Sequence, residues 1–224
     1  MQWHCIDAVI LQCMVDDVKA DLRAARVADT EEKILRAATR LFLEHGYAGT
    51  TLTAVAAQAR VGARTVYVRF GTKAALLKRV VDVAMVGDTA PVAVSGRPWF
   101  VLAAGAPTLD ERIAAMARGG REMMDRAGGL FAVTLEAAPA EPLLAEAAQA
   151  GREATRDNLR HFWTRAAGDG LLPDGHDIDW LTETSAILVH NETYLLGTRM
   201  HGWSPERYER WLITGLTRLA AAPA

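Results

Sequence analysis

The stretch TLTAVAAQARVGARTVYVRF, Thr51 to Phe70, sets the reading of the whole chain. Leu52, Val55, Ala56 and Ala59 recur at i, i+3, i+4 and i+7, one face of a short helix. Thr51 stands just before that run, where its hydroxyl can cap the free first-turn amides. Val61 falls in a turn, where an apolar residue can pin two helices together. Gly62 and Ala63 open a second helix with Val66 and Phe70 inward. Arg64, Thr65, Tyr67, Val68 and Arg69 are left pointing elsewhere, and core packing explains such a basic face poorly. The pattern predicts a helix-turn-helix, whose second helix lies in the major groove of DNA.

The flanks extend it. EKILRAATRLFLEHGYAGTTL lies upstream and FGTKAALLKRVV downstream. Ile34, Ala37, Ala38, Leu41, Phe42, Gly46-Tyr47, Thr50-Thr51, Val55-Ala56, Val61, Thr65-Val66-Tyr67, Phe70, Lys73 and Leu76-Leu77 together resemble the N-terminal DNA-binding domain of the tetracycline-repressor (TetR) family of transcriptional regulators. The resemblance covers about residues 30 to 85. It implies an all-α protein with a DNA-binding domain at 29–86, preceded by an extension (1–28) and followed by a helical regulatory and dimerisation domain at 87–224. Arg60 stands where a turn Gly is usual in this family, and Gly62 where a capping Ser or Thr is usual.

Charge is distributed in the same sense. The 224 residues carry a net charge of −2, but residues 29–86 hold nine Lys/Arg against five Asp/Glu. A basic head on an acidic body suits a phosphate-binding module attached to a domain of another purpose. The two cysteines, Cys5 and Cys13, make no disulfide framework, and no apolar run reaches the ~18 residues of a membrane span. Asp7, Asp16 and Asp17 interrupt any signal-peptide core, so the expected location is the cytoplasm. No metal or cofactor is expected, since zinc-type spacing and a phosphate-cradling glycine loop are both missing.

In chain order, Trp3, Ile6, Ile10, Cys13 and Met14 keep roughly helical spacing and predict an extra amphipathic helix. Asp29 and Glu32 look like a capping box opening a helix from about Thr30 to His45, with Gly46 ending it. Thr72 can cap a fourth helix whose Leu76, Leu77, Val80 and Ala84 face inward, the mechanical link from head to body. Trp99–Leu102 is apolar enough to pack as a short helix. Thr108 and Glu111 predict a capping box for a helix to about Arg126, stopped by Gly128-Gly129, then a short helix to Ala137. Pro142 opens a long helix to about Ala167, and further helices are predicted from about Asp177 to Met200 and from Ser204-Pro205 onward.

Affinity for DNA comes from phosphates and specificity from base edges. Arg64 is the candidate for reading guanine, and Thr65 for a thymine methyl or a phosphate. The resemblance implies phosphate contacts from Tyr67 and Lys73, with Thr51, Thr53 and Ala63 beside them and Arg69 adding a further contact. It also implies a homodimer on a near-palindromic operator, its last two helices forming a four-helix bundle with a second copy; Leu188, Leu195, Tyr208, Trp211, Leu212 and Leu216 are the candidates for that interface. Trp99, Met116, Met123, Phe131, Phe162, Trp163 and Tyr194 suit a largely apolar effector pocket, with His190 and Asn191 as its polar end. The predicted function is a ligand-responsive repressor; control by a protein partner or by thiol oxidation at Cys5 and Cys13 is the alternative. An enzyme would have to use Asp174, His176, Asp177 and Asp179, which sit beside Gly and Pro in a surface loop.

Overall fold

A computed structural model describes residues 4–87 and 96–221, with side chains from residue 23 onward. The expectations placed on Trp3, Cys5 and Cys13 lie outside the described side chains. Among the described residues the chain is helices and turns, the all-α class. The helices are α1 (His4–Gly49), α2 (Leu52–Ala59), α3 (Ala63–Phe70), α4 (Lys73–Val86), α5 (Pro98–Gly105), α6 (Leu109–Ala137), α7 (Pro142–Gly168), α8 (Ile178–Val189), α9 (Asn191–Leu195) and α10 (Pro205–Ala221), with a π-helical turn at Leu196–Met200.

One apolar core holds the head. Ile34, Ala38 and Phe42 of α1 meet Leu52 and Val55 of α2, Val66 of α3 and Leu76, Leu77 and Val80 of α4. Leu130, Val133 and Ala137 of α6 and Leu144 of α7 complete the same core, so the head is sealed by helices that belong to the body in sequence. The second core gathers Ile113 and Met116 of α6, Leu159 and Trp163 of α7, Leu181 of α8 and Tyr208, Leu212 and Leu216 of α10. Burying a large side chain of this kind stabilises the fold by roughly 1.5–3 kcal/mol each.

Several helix ends fall where the sequence puts them. Thr51 Oγ1 accepts from the Ala54 amide at 3.1 Å, and Thr72 Oγ1 from the Ala75 amide at 3.1 Å. Thr108 and Glu111 form a reciprocal capping box, and Pro98 and Pro142 occupy first turns where a missing amide is harmless.

Three boundaries differ. First, α1 does not begin at Asp29. It runs unbroken from His4 to a kink at Gly46, where φ is 66°. No Gly or Pro occurs before Gly46, so nothing stops the helix, and Asp29 instead pairs with Lys33 one turn on at 2.6 Å. Second, Gly128 and Gly129 do not end a helix, and α6 passes straight through them. They serve close approach: a Cβ would lie 3.1 Å from the Tyr194 ring at Gly128 and 2.6 Å from Leu43 Cδ2 at Gly129. Third, the helix expected at 177–200 breaks at His190, whose ψ is 147°. Side chains replace the backbone bonds lost there, as Glu192 N–H donates to His190 Nδ1 at 3.4 Å and Thr193 Oγ1 to the Ile187 carbonyl at 2.6 Å.

Candidate DNA-binding surface and effector cavity

α3 is anchored by Val66, fully buried, and by half-buried Phe70. That anchoring leaves Arg64, Thr65, Tyr67 and Val68 exposed, Val68 at 75% and Tyr67 at 49%. Thr53 is exposed on α2, and Ala63 is half-buried at the start of α3. The turn is tight. Arg60 adopts the left-handed conformation (φ 57°, ψ 42°), and the Val61 amide donates to the Ala56 carbonyl at 3.0 Å. Among the described residues Arg60 is the one non-glycine with positive φ, a conformation that costs an L-residue roughly 1–2 kcal/mol. Gly62 precedes α3 in an extended conformation with no side-chain cap.

Two of the candidate cations are engaged within the head. Lys73 donates from Nζ to the Tyr47 carbonyl at 2.7 Å and sits 4.1 Å above the Tyr47 ring. Tyr47 stacks on Phe42 and donates its hydroxyl to Glu141 Oε1 at 2.7 Å, so this cluster ties the end of α1 to the start of α7. Burial, reinforced by the Glu141 carboxylate, holds the Tyr47 phenol well above its ordinary pKa. Arg69 is the stronger departure: its guanidinium is bound by Glu31 of α1, which also accepts from Arg79 Nε at 3.0 Å. Burial draws the Glu31 carboxyl upward, but the two guanidiniums outweigh it and leave its pKa below the ordinary value. Beside the turn, Lys33, Arg36, Arg40 and Arg60 line a cationic cleft between α1 and α2.

The body encloses a cavity of about 390 Å³. Of the expected residues, Trp99, Met116, Met123, Phe131, His190 and Asn191 line it. Phe162, Trp163 and Tyr194 do not. Trp163 is fully buried between α7 and α8 with its indole N–H donated to Ser185 Oγ at 2.9 Å, and Phe162 packs edge-on against it. Tyr194 spends its hydroxyl on Asp125 Oδ1 at 2.8 Å. The sequence reading missed the opposite wall, where Lys78, Val81, Asp82 and Met85 of α4 face the cavity. Val81 and Met85 are four apart, an apolar pair beside the α4 stripe already recognised, and that spacing was the available signal. The body also grips the end of α4 directly. Arg126 donates to the Ala84 carbonyl at 3.2 Å and to the Met85 carbonyl at 3.0 Å, satisfying acceptors that a helix end leaves free.

The interface candidates divide. Tyr208, Leu212 and Leu216 are buried inside the chain's own core and present nothing to a second copy. Trp211 is half-buried against Trp203 and Tyr208, and Leu188 and Leu195 are half-buried. The large exposed apolar residues of α8 are Trp180 (56%) and Ile187 (69%), seven apart on one face. The suspected acid–His cluster disperses into structural tasks. Asp177 caps α8, Asp179 meets Arg160 at 2.5 Å, and His176 lies between the Pro173 and Ala220 carbonyls. Among the described residues no His, Cys, Asp and Glu side chains group as a metal site, and no helix is long and apolar enough to cross a membrane.

A capped helix-turn-helix packed against a helical body is an arrangement suited to presenting one short helix to duplex DNA. Residues 34–80 match the family model of bacterial regulatory proteins, tetR family. The match spans the helix-turn-helix and the helices that flank it, so this N-terminal part of the chain is a domain of the tetR type. No curated protein sequence matches it. Solved structures share the fold over most of both chains. A TetR transcription regulator from Haloarcula marismortui superposes with a TM-score of 0.67 at 16% identity, over 88% of this chain and 98% of that one. SmeT in complex with triclosan does so with 0.65 at 22%, over 84% and 90%. NalD, the secondary repressor of the MexAB-OprM multidrug efflux pump in Pseudomonas aeruginosa, does so with 0.62 at 18%, over 84% and 95%.

Proposed function

We propose that this chain is a ligand-responsive repressor that binds a near-palindromic operator as a homodimer and leaves it when a small, largely apolar effector fills the body cavity. One observation carries the reading: the cavity of about 390 Å³ is walled by Lys78, Val81, Asp82 and Met85 of α4, the helix that joins head to body. Phe131 and Leu144 line the same cavity and also pack into the core of the head. A ligand that displaces this wall therefore displaces the head as one piece.

On the DNA side, Arg64 and Thr65 read bases and Tyr67 contacts phosphate, with Thr51, Thr53 and Ala63 beside them. Lys73 contributes charge from its seat over Tyr47, and Arg60 adds a phosphate contact from the turn. Arg69 joins only if Glu31 releases it. One short helix reads few base pairs, so two heads roughly 34–36 Å apart are needed for a usable site. Trp180 and Ile187 on α8 are the surface on which a second copy would close. The effector weakens binding by favouring the mis-spaced dimer, and only to the extent that it binds that form more tightly. SmeT's complex with triclosan and NalD's role as a repressor are consistent with this reading.

The test is to select bound duplexes from random sequence and then to titrate small apolar compounds against the selected site. A palindromic consensus, salt-dependent binding and release by a compound that quenches Trp99 fluorescence are the expected results. A non-palindromic preference, or release by no compound that enters the cavity, would refute the proposal.

A further inference from the structure

The break between α8 and α9 places an orphan at the cavity wall. Asn191 Oδ1 is buried and has no hydrogen-bond partner. Turning the amide round exchanges a stranded acceptor for a stranded donor, so the need for a polar partner stays. We propose that the His190–Asn191 break is a receptor for a neutral hydroxyl group carried on an otherwise apolar, flat molecule. The proposal rests on the effector reading above and deepens it.

A hydroxyl is the group that matches both faces of the site. It can donate to Asn191 Oδ1 and accept from His190. The His190 Nδ1 already receives the Glu192 N–H at 3.4 Å, which leaves the ring proton on Nε2 as a donor. Burial lowers the imidazole pKa; Glu192 opposes this and Arg152 adds to it, so the ring is neutral near pH 7.

An anionic head group fits less well, because the nearby cations are paired or solvated. Lys78 pairs with Asp82 at 2.7 Å, and Arg152, which hydrogen-bonds to the neutral Gln149 Oε1 at 3.1 and 2.9 Å, is exposed to solvent that screens its charge. A carboxylate here would be desolvated against a neutral ring and an amide oxygen. The rest of the molecule meets Trp99, Met116, Met123 and Phe131, an aromatic and thioether wall suited to a ring. The hydroxyl thus selects which apolar molecules stay, and the ring presses on the wall shared with α4.

The experiment is calorimetric titration of the full chain with 4-propylphenol, with 4-propylanisole, which keeps the oxygen but has no donor, and with 4-propylbenzoate. The phenol is expected to bind about tenfold more tightly than its methyl ether, the scale of one buried hydrogen bond. Asn191→Leu should erase that preference, so that the variant binds phenol and ether alike whatever its affinity for either. Equal binding of phenol and ether by the parent chain, or tightest binding of the benzoate, overturns the hydroxyl receptor. The cavity reading survives either result as long as a compound still binds. If neither phenol nor ether binds, the effector reading fails as well. The comparison on the parent chain needs no variant, so a folding defect in Asn191→Leu cannot mask the outcome.

Discussion

Glu31 is the best place to test how the reading head is held. Its carboxylate, 17% exposed, accepts from Arg69 at the end of α3 and from Arg79 on α4, joining three helices at one point. Charge-assisted hydrogen bonds contribute up to roughly 1.5–3 kcal/mol each when buried. The Arg79 side chain is 37% exposed, and solvent reduces its share. Glu31→Gln, which keeps the shape and removes the charge, should cost about 2 kcal/mol in total. For a chain of this length that lowers the melting temperature by about 4–8 °C.

Acidity should modulate the difference. The folded carboxyl titrates below the ordinary value of 4.5, so its stabilisation is complete above that pH and fades as pH falls through the lower folded value. The parent and variant melting curves should therefore converge in acid. The variant also frees Arg69. If that side chain then reaches phosphate, the slope of log K against log salt should steepen by about one unit at temperatures where both proteins are folded. Scanning calorimetry from neutral pH into acid, with fluorescence anisotropy on the selected operator, reads all three effects. A melting temperature unchanged at pH 7, or a gap that widens in acid, would refute the account of Glu31 as the tie.

Arg64→Ala should relax base preference at one operator position by about 1–3 kcal/mol, whereas Lys73→Ala should weaken all sequences alike; parallel binding curves on the selected and scrambled duplexes separate the two. Arg60→Gly relieves a left-handed residue but loosens the unfolded chain, so stability should rise by no more than about 1 kcal/mol while the salt slope falls by about one; unchanged DNA binding would remove Arg60 from the surface. Ile187→Glu places a charge on the exposed face of α8 and should shift sedimentation from dimer to monomer with loss of operator binding, while leaving the melting temperature of the monomer core within about 1 kcal/mol of stability. A dimer that persists would move the interface elsewhere.

The helix-turn-helix was legible because its signals are local. Thr51 and Thr72 cap the helices that immediately follow them, Val66 is one apolar tooth in an eight-residue helix, and Arg60 reports its strained backbone by standing in a tight turn. The same directness holds for the Thr108–Glu111 box and for Pro142. What failed were inferences from single residues about long-range packing. Gly128 and Gly129 looked like a stop, yet they are points of contact with Tyr194 and Leu43, far away in sequence. Phe162 and Trp163 looked like pocket walls, and they are the second core.

Periodicity shows that a helix has an apolar face, but a helix with two such faces does not say which one meets its own chain. That ambiguity is why Tyr208, Leu212 and Leu216 turned inward and Trp180 and Ile187 outward. The order of amino acids alone therefore determined the helical class, the capped reading head and its basic exposed face, since each depends on neighbours within a turn or two. The cavity, its α4 wall, the break at His190 and the capture of Arg69 by Glu31 were decided only when the helices packed. Each of these depends on atoms brought together from distant segments, and no spacing along the chain encodes them.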